Sequence, residues 1–282
     1  MATVDVKTLT APVGIVRLLE VVFTCVTFSL AASATTAFWV WCMFSWGFCF
    51  SITFLVLLLE LIRVHAKLPI SWTDFTTAFA MLATLMVLAA SIIFPVSINC
   101  STCGRQIGAT ITSILAFILY AVEVGLTRAK TGELSGFLST VPGLLKVLEA
   151  FVACIIFICL GNIDYYVIPW LQWCVTVYSI CFIFTLLVII LTIFRLLALS
   201  APLKKVLTCC NVLAVLMYMT AVVAWPLYSI RNTPRPSPCP RFCLWDNLVV
   251  ITFMTGFNLI AYIIDTVYLI RDIVVMSMSV SI

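Results

Sequence analysis

Two short stretches, Tyr120-x-x-Glu123 and Tyr262-x-x-Asp265, each place a carboxylate one turn after a tyrosine inside a long apolar run. A charge in such a run is costly to bury, so each acid is a functional candidate by default. Matched acids of this kind are what a proton-coupled carrier would use. Arg128 follows Glu123 by five residues and Arg271 follows Asp265 by six, and inter-helix hydrogen bonding or capping is the plainer role. Arg17 with Glu20 and Lys146 with Glu149 are each three residues apart, and so share a helical face. Pairing at the membrane edge, with the charged heads reaching toward water, makes them structural anchors. Glu60 has no acidic counterpart, because the position 132 residues on is Thr192.

Thirteen cysteines fall into three settings. Cys100 and Cys103 form one close pair and Cys239 and Cys243 another, each in a short polar gap between apolar runs. If those gaps face an oxidising compartment, disulfides Cys100–Cys103 and Cys239–Cys243 are expected. A CxxC metal site is the rival for the first pair, but no second pair or histidine stands beside it. Cys209-Cys210 lie just after Lys204-Lys205, a plausible setting for S-palmitoylation, with simple packing as the alternative. The remaining Cys25, Cys42, Cys49, Cys154, Cys159, Cys174 and Cys181 read as packing residues.

The other chemical signals are weak. His65 is the single histidine, and nothing in the spacing brings a nucleophile to it. There is no P-loop, HExxH or dinucleotide fingerprint, so neither enzyme activity nor a cofactor is expected. Asn99-Cys100-Ser101 is a formal glycosylation sequon that overlaps an expected disulfide. The prolines at 234, 236, 238 and 240 predict a stiff, extended segment. Val280-Ser281-Ile282 ends the chain with the apolar spacing of some PDZ ligands.

The elements that must hold these residues are set by composition. The 282 residues are 64% hydrophobic and 9% charged, against about 25% charged in ordinary soluble chains. A net charge of +4 is too sparse for a nucleic-acid footprint. The chain is a polytopic membrane protein, with spans predicted at 14–33, 38–62, 76–98, 107–127, 144–163, 170–194, 206–228 and 247–270. With both termini cytosolic, eleven Lys or Arg residues lie inside, from Lys7 to Arg271, and only Arg105, Arg231, Arg235 and Arg241 lie outside. The first run has no cleavage signal and is expected to stay as an anchor. Trp39, Trp41, Trp170 and Trp173 fit an interfacial belt.

The chain is also written twice. Arg17-Leu18-Leu19-Glu20 answers Lys146-Val147-Leu148-Glu149. Trp41-Cys42 and Cys49-Phe50 answer Trp173-Cys174 and Cys181-Phe182 at an offset of 132, and Arg63 answers Arg195. Leu82 to Met86 answers Leu213 to Met217, Phe94-Pro95 answers Trp225-Pro226, and the two Tyr-x-x-acid stretches complete the order. Offsets drift only from 129 to 142, which predicts a tandem four-helix unit inserted twice in the same sense.

A duplicated four-span unit with paired cysteines in short outer loops resembles the MARVEL-domain proteins. Its tandem form resembles the myeloid-associated differentiation marker group, over roughly residues 12–274. The resemblance implies an all-α fold of eight transmembrane helices in two MARVEL-like bundles, at 1–130 and 136–274, with a cytosolic tail at 275–282. It further implies a non-enzymatic scaffold that organises cholesterol-rich ordered membrane and serves trafficking or apposition, at the plasma membrane and in vesicles. Its partner would be the lipid bilayer, in the form of sterol-rich ordered lipid; self-association or other membrane proteins stay open, and nucleic acid is not expected. The rival is a channel or carrier with a site between the repeats that uses Glu123 and Asp265.

Overall fold

The computed structural model describes residues 10–33, 38–98, 104–129, 138, 140–161, 163–194, 196, 201–231, 233–238 and 243–280, without the side chains of 201–203 and 276–280. Among these residues there are eight helices long and apolar enough to cross a membrane, and no strand. They are α1 (Pro12–Ala31), α2 (Trp39–Leu61), α3 (Trp72–Ser97) and α4 (Gly104–Ala129), then α5 (Val141–Leu160), α6 (Pro169–Ile193), α7 (Ala201–Ser229) and α8 (Leu244–Val280).

The chain divides into two compact units, residues 1–140 and 141–282. In the first, α1 packs on α2 and α4, and α3 packs on the same two, which closes a four-helix ring. In the second, α5 and α7 each pack on α6 and α8 in the same cyclic order. Such connectivity follows from short links between long helices, which force neighbours to run antiparallel.

Local sequence explains where the helices begin. Pro12 and Pro169 occupy first-turn positions, where the missing N–H is not needed. α3 starts at Trp72, four residues before the position expected from hydropathy, because Ser71 and Asp74 make its first turn. Ser71 Oγ donates to Asp74 Oδ2 at 2.6 Å, and the backbone N–H of Leu138 donates to Asp74 Oδ1 at 2.9 Å. A negative charge there also suits the positive end of the helix dipole. α8 begins in a similar way, with the Cys243 N–H donating to Asp246 Oδ2 at 3.1 Å. It runs for 37 residues to Val280, through residues 271–280 beyond the apolar stretch. Pro95 and Pro226 sit inside α3 and α7 close to their C-termini, where few backbone bonds remain to be lost.

Small residues set how closely the helices approach. Ala80, Ala83 and Ala90 of α3 and Ala109 and Ala116 of α4 are almost wholly buried. A Cβ on Gly108 would lie 3.2 Å from Leu30 Cδ1, so α1 and α4 are near contact at that point. Larger groups then fill the cores at matching places. Trp46 meets Phe94 edge to face at 5.2 Å, and its repeat counterpart Tyr178 meets Trp225 at 6.2 Å.

Candidate functional site

The site is built from residues near one end of each bundle. In the first unit Arg17 lies in the second turn of α1, Glu60 in the last turn of α2, and Glu123 two turns before the end of α4. Antiparallel order brings these three helix ends together. Arg17 Nε donates to Glu123 Oε1 at 2.5 Å, and Nη1 donates to Glu60 Oε1 at 2.6 Å. Trp72 Nε1, from the start of α3, donates to the same Glu60 oxygen at 2.8 Å. The planar guanidinium suits this work because its donors diverge toward acceptors on separate helices.

Two parts of the sequence reading change here. Arg17 does not pair with Glu20, its helical neighbour, because Glu60 and Glu123 from other helices take its donors. The bases also do not reach out to water: Arg17 is 6% exposed and Lys146 fully buried. Both side chains turn inward, where several acceptors replace their hydration.

The second unit repeats the design with other groups. Lys146 Nζ contacts Glu149 Oε2 at 2.8 Å, Asp265 Oδ2 at 2.9 Å and Asn211 Oδ1 at 2.7 Å. An ammonium has three donors, and here three acceptors meet them. The rings of Tyr262 and Phe184 lie 5.0 and 5.4 Å from the ammonium and add cation–π attraction. Asn211 Nδ2 in turn donates to Asp265 Oδ2 at 2.5 Å. Asn211 was not singled out from the sequence, although an amide within an apolar run was the available signal.

A ladder of matched hydrogen bonds runs from each cluster along the core. Tyr120 and Thr53 share a hydrogen bond of 2.7 Å, as Tyr262 and Thr185 do at 2.8 Å. Trp46 Nε1 donates to Ser113 at 2.9 Å, and Tyr178 and Thr255 share one of 2.8 Å. The face of α8 that supplies this ladder reads Thr255, Asn258, Tyr262 and Asp265, and that of α4 reads Ser113, Tyr120 and Glu123. Spacings of three and four keep each set on one stripe. Glu123 and Asp265 are therefore held inside their own bundles, at 2% and 0% exposure, by that bundle's own base.

Cysteines sort by exposure. Cys42, Cys49, Cys174 and Cys181 are buried, Cys154 and Cys159 half-buried, and Cys25 is exposed, so it does not pack in the core. Cys209 is exposed and Cys210 half-buried, both as free thiols. Cys243 is disulfide-bonded, while Cys100, Cys103 and Cys239 lie outside the described residues, as do Asn99 and the terminal Ser281-Ile282. Near the start of α8, Arg235 lies over the Trp245 ring at 5.4 Å and 3.8 Å from Asp246.

The family model described as "MARVEL: Membrane-associating domain" matches the chain twice, over residues 8–126 and 137–268. Myeloid-associated differentiation marker-like protein 2 of Xenopus laevis is 43% identical, over 95% of this chain and 95% of its own. Myeloid-associated differentiation marker of Homo sapiens is also 43% identical, covering 93% of this chain and 88% of its own. Myeloid-associated differentiation marker-like protein 2 of Rattus norvegicus is 40% identical, over 92% and 91%. No solved structure gives a significant match.

Proposed function

The chain belongs to the MARVEL family of membrane-associating proteins, beside the myeloid-associated differentiation markers, and on that premise we propose that it is a non-enzymatic scaffold of ordered membrane. In this reading it organises cholesterol-rich lipid at the plasma membrane and in vesicles, and serves trafficking or close apposition. The supporting observation is how the two kinds of side chain are sorted. Arg17 with Glu60 and Glu123, and Lys146 with Glu149 and Asp265, are paired inside each bundle, whereas the outer faces carry large apolar groups such as Val40, Phe44, Ile183, Val223 and Phe253. A surface of that kind works on lipid by contact alone, without a transport step.

Two features supply the chemistry of selection. Acyl chains at Cys209 and Cys210, beside Lys204 and Lys205, would favour ordered lipid; both thiols are free, and Cys209 is exposed. Disulfides Cys100–Cys103 and Cys239–Cys243 would hold the outer loops compact, with the bias of basic residues supporting cytosolic termini. The test is partitioning of the tagged protein between ordered and disordered phases of plasma-membrane vesicles. Enrichment of the wild type in the ordered phase, lost in the Cys209→Ser/Cys210→Ser variant, is expected. Exclusion of the wild type from that phase overturns the reading.

A further inference from the structure

The two bundles differ at the end away from their charge clusters. On the surface of the second, a groove of about 560 Å³ lies between the start of α6 and the second half of α7. Trp170 supplies the α6 side. Leu216, Thr220, Ala224 and Tyr228 follow along α7, four residues apart and so on one face. Ala224 is almost wholly buried and forms the floor, while Leu216 and Thr220 are exposed along its length.

One end of this groove is polar. The Trp170 and Tyr228 rings stack at 5.6 Å with an interplanar angle of 11°. Among the described residues, neither the indole N–H nor the phenol O–H has a hydrogen-bond partner. Thr220 is fully engaged: its hydroxyl accepts from Trp173 Nε1 at 2.9 Å and donates to the Met217 carbonyl at 2.6 Å. No charged side chain lines the groove, and Arg231, the nearest cation along the chain, lies past the end of α7 and outside the lining.

Length and polarity select the occupant. The helical steps from Leu216 to Tyr228 cover about 18 Å. That is roughly the depth of one leaflet, half of a hydrocarbon core about 30 Å thick. A lipid that fills the groove is therefore one leaflet long, apolar along its body, and ends in a small neutral group that both donates and accepts. A sterol has this form, with rigid rings and a single hydroxyl. A phospholipid brings two chains and a charged phosphate, for which the groove offers a single trough and no cation.

The first bundle exchanges the groups that matter. By the repeat offsets Phe38 stands for Trp170, Ile93 for Ala224 and Ser97 for Tyr228. Isoleucine occupies the floor position, and Ser97 Oγ turns back to the Phe94 carbonyl at 2.8 Å. A general aromatic belt does not explain the difference, since Trp41 and Trp173 keep that belt in both units. We propose that the second bundle, and not the first, binds one sterol in this groove. Its hydroxyl lies between Trp170 Nε1 and the Tyr228 hydroxyl, and its rings lie along Ala224. This inference rests on the scaffold reading and deepens it, by giving one sterol molecule a defined seat.

The test reconstitutes the full chain in phosphatidylcholine vesicles with a photoactivatable cholesterol and maps the labelled peptides by mass spectrometry. Labelling of Leu216–Tyr228 is expected far above that of Leu85–Ser97, and unlabelled cholesterol should compete it away. Ala224→Ile, which writes the first unit's residue into the second, is expected to remove the excess with the melting midpoint unchanged. Tyr228→Phe keeps the ring and loses the hydroxyl, and should weaken cholesterol competition about fivefold, the worth of one hydrogen bond. Equal labelling of the two segments in the wild type overturns the proposal without reliance on any variant folding. So does an excess that survives Ala224→Ile, or equal capture of a photoactivatable phosphatidylcholine at the same residues. Phase partitioning keeps the two readings apart. A wild type enriched in the ordered phase but without the groove excess loses the groove alone; one excluded from that phase with the excess intact loses the scaffold.

Discussion

Arg17 and Glu123 are 106 residues apart in sequence, and their 2.5 Å hydrogen bond joins the first helix of a bundle to its last. The bond closes the helix ring at the point where chain connectivity does not. Removing Glu123 leaves the buried guanidinium with one carboxylate, Glu60, in place of two, a loss of at most about 3–5 kcal/mol, whereas exchanging both Arg17 and Glu123 for apolar groups of similar size is milder. Glu123→Leu should thus be strongly destabilising in the full chain, and Arg17→Met/Glu123→Leu less so than the sum of its single changes. Denaturant unfolding in micelles over the double-mutant cycle measures the difference. Additive losses would show that the two residues are not coupled.

Lys146 should not tolerate exchange for arginine. Its ammonium is enclosed by Glu149, Asp265, Asn211 and two aromatic rings, with each of its hydrogens matched. A guanidinium is flat and larger, and brings donors that this enclosure cannot satisfy. Overpacking and unmatched donors together put the expected loss at about 2–4 kcal/mol. Asn211→Leu is the companion change: it removes the amide that bridges Lys146 and Asp265, at about 1–3 kcal/mol. A Lys146→Arg protein as stable as wild type would show that the cluster is looser than its distances indicate.

Much of this arrangement was legible beforehand, and the reason is geometric. Apolar runs longer than about 18 residues identify spans regardless of packing. The order of Arg17, Trp41, Cys49, Phe94 and Glu123 against their later counterparts identified the repeat. Of the pairs within the clusters, Lys146 with Glu149 was legible from spacing on one helix, and those between helices were not, because such spacing says nothing of helices packed beside it. Arg17 and Glu20 share a face of α1, yet Glu60 and Glu123 hold the guanidinium. The same limit hid Asn211 and Trp72, whose roles arise only when α7 and α3 are placed. Glu60 looked isolated because its repeat position is Thr192; the structure shows that it is the extra acid of an otherwise matched pair of clusters.

The duplicated hydrogen bonds should respond in parallel. Thr53 and Thr185 are 132 residues apart and meet Tyr120 and Tyr262 at 2.7 and 2.8 Å. Thr53→Val and Thr185→Val keep shape and remove the hydroxyl, leaving a buried tyrosine O–H with one partner fewer. Each should cost about 1–2 kcal/mol. Thr185 has a second acceptor in Glu149 at 3.2 Å, so its replacement should be the costlier of the two. Thermal unfolding of the two variants side by side is the measurement, and the reverse order would contradict the assigned bonds.

Asp74 should govern how firmly residue 138 is held. Its carboxylate accepts from Ser71 Oγ and from the Leu138 N–H, and the side chain of Leu138 is wholly buried. Asp74→Ala removes the first-turn carboxylate of α3, with its bond to Ser71 Oγ, and this attachment together, a loss of about 1–2 kcal/mol. The visible consequence should be faster limited proteolysis between α4 and α5, with the helices themselves still protected. Cleavage at an unchanged rate would show that Leu138 is held by packing alone.

Cys209 and Cys210 are adjacent in sequence but differ in position on α7: the first is exposed and the second half-buried. Acyl transfer needs the sulfur to leave the bundle surface, and a chain attached to the inward-turned thiol would have to displace packed neighbours. If the pair is acylated, Cys209 should carry most of the modification. Acyl-exchange labelling should therefore fall sharply in Cys209→Ser, fall little in Cys210→Ser and vanish from this pair in the double variant. Equal losses in the two single variants would mean that α7 turns or frays enough at this point to present both sulfurs. Labelling unchanged in the double variant would remove acylation at α7 from the mechanism and leave lipid selection to the apolar faces of the helices.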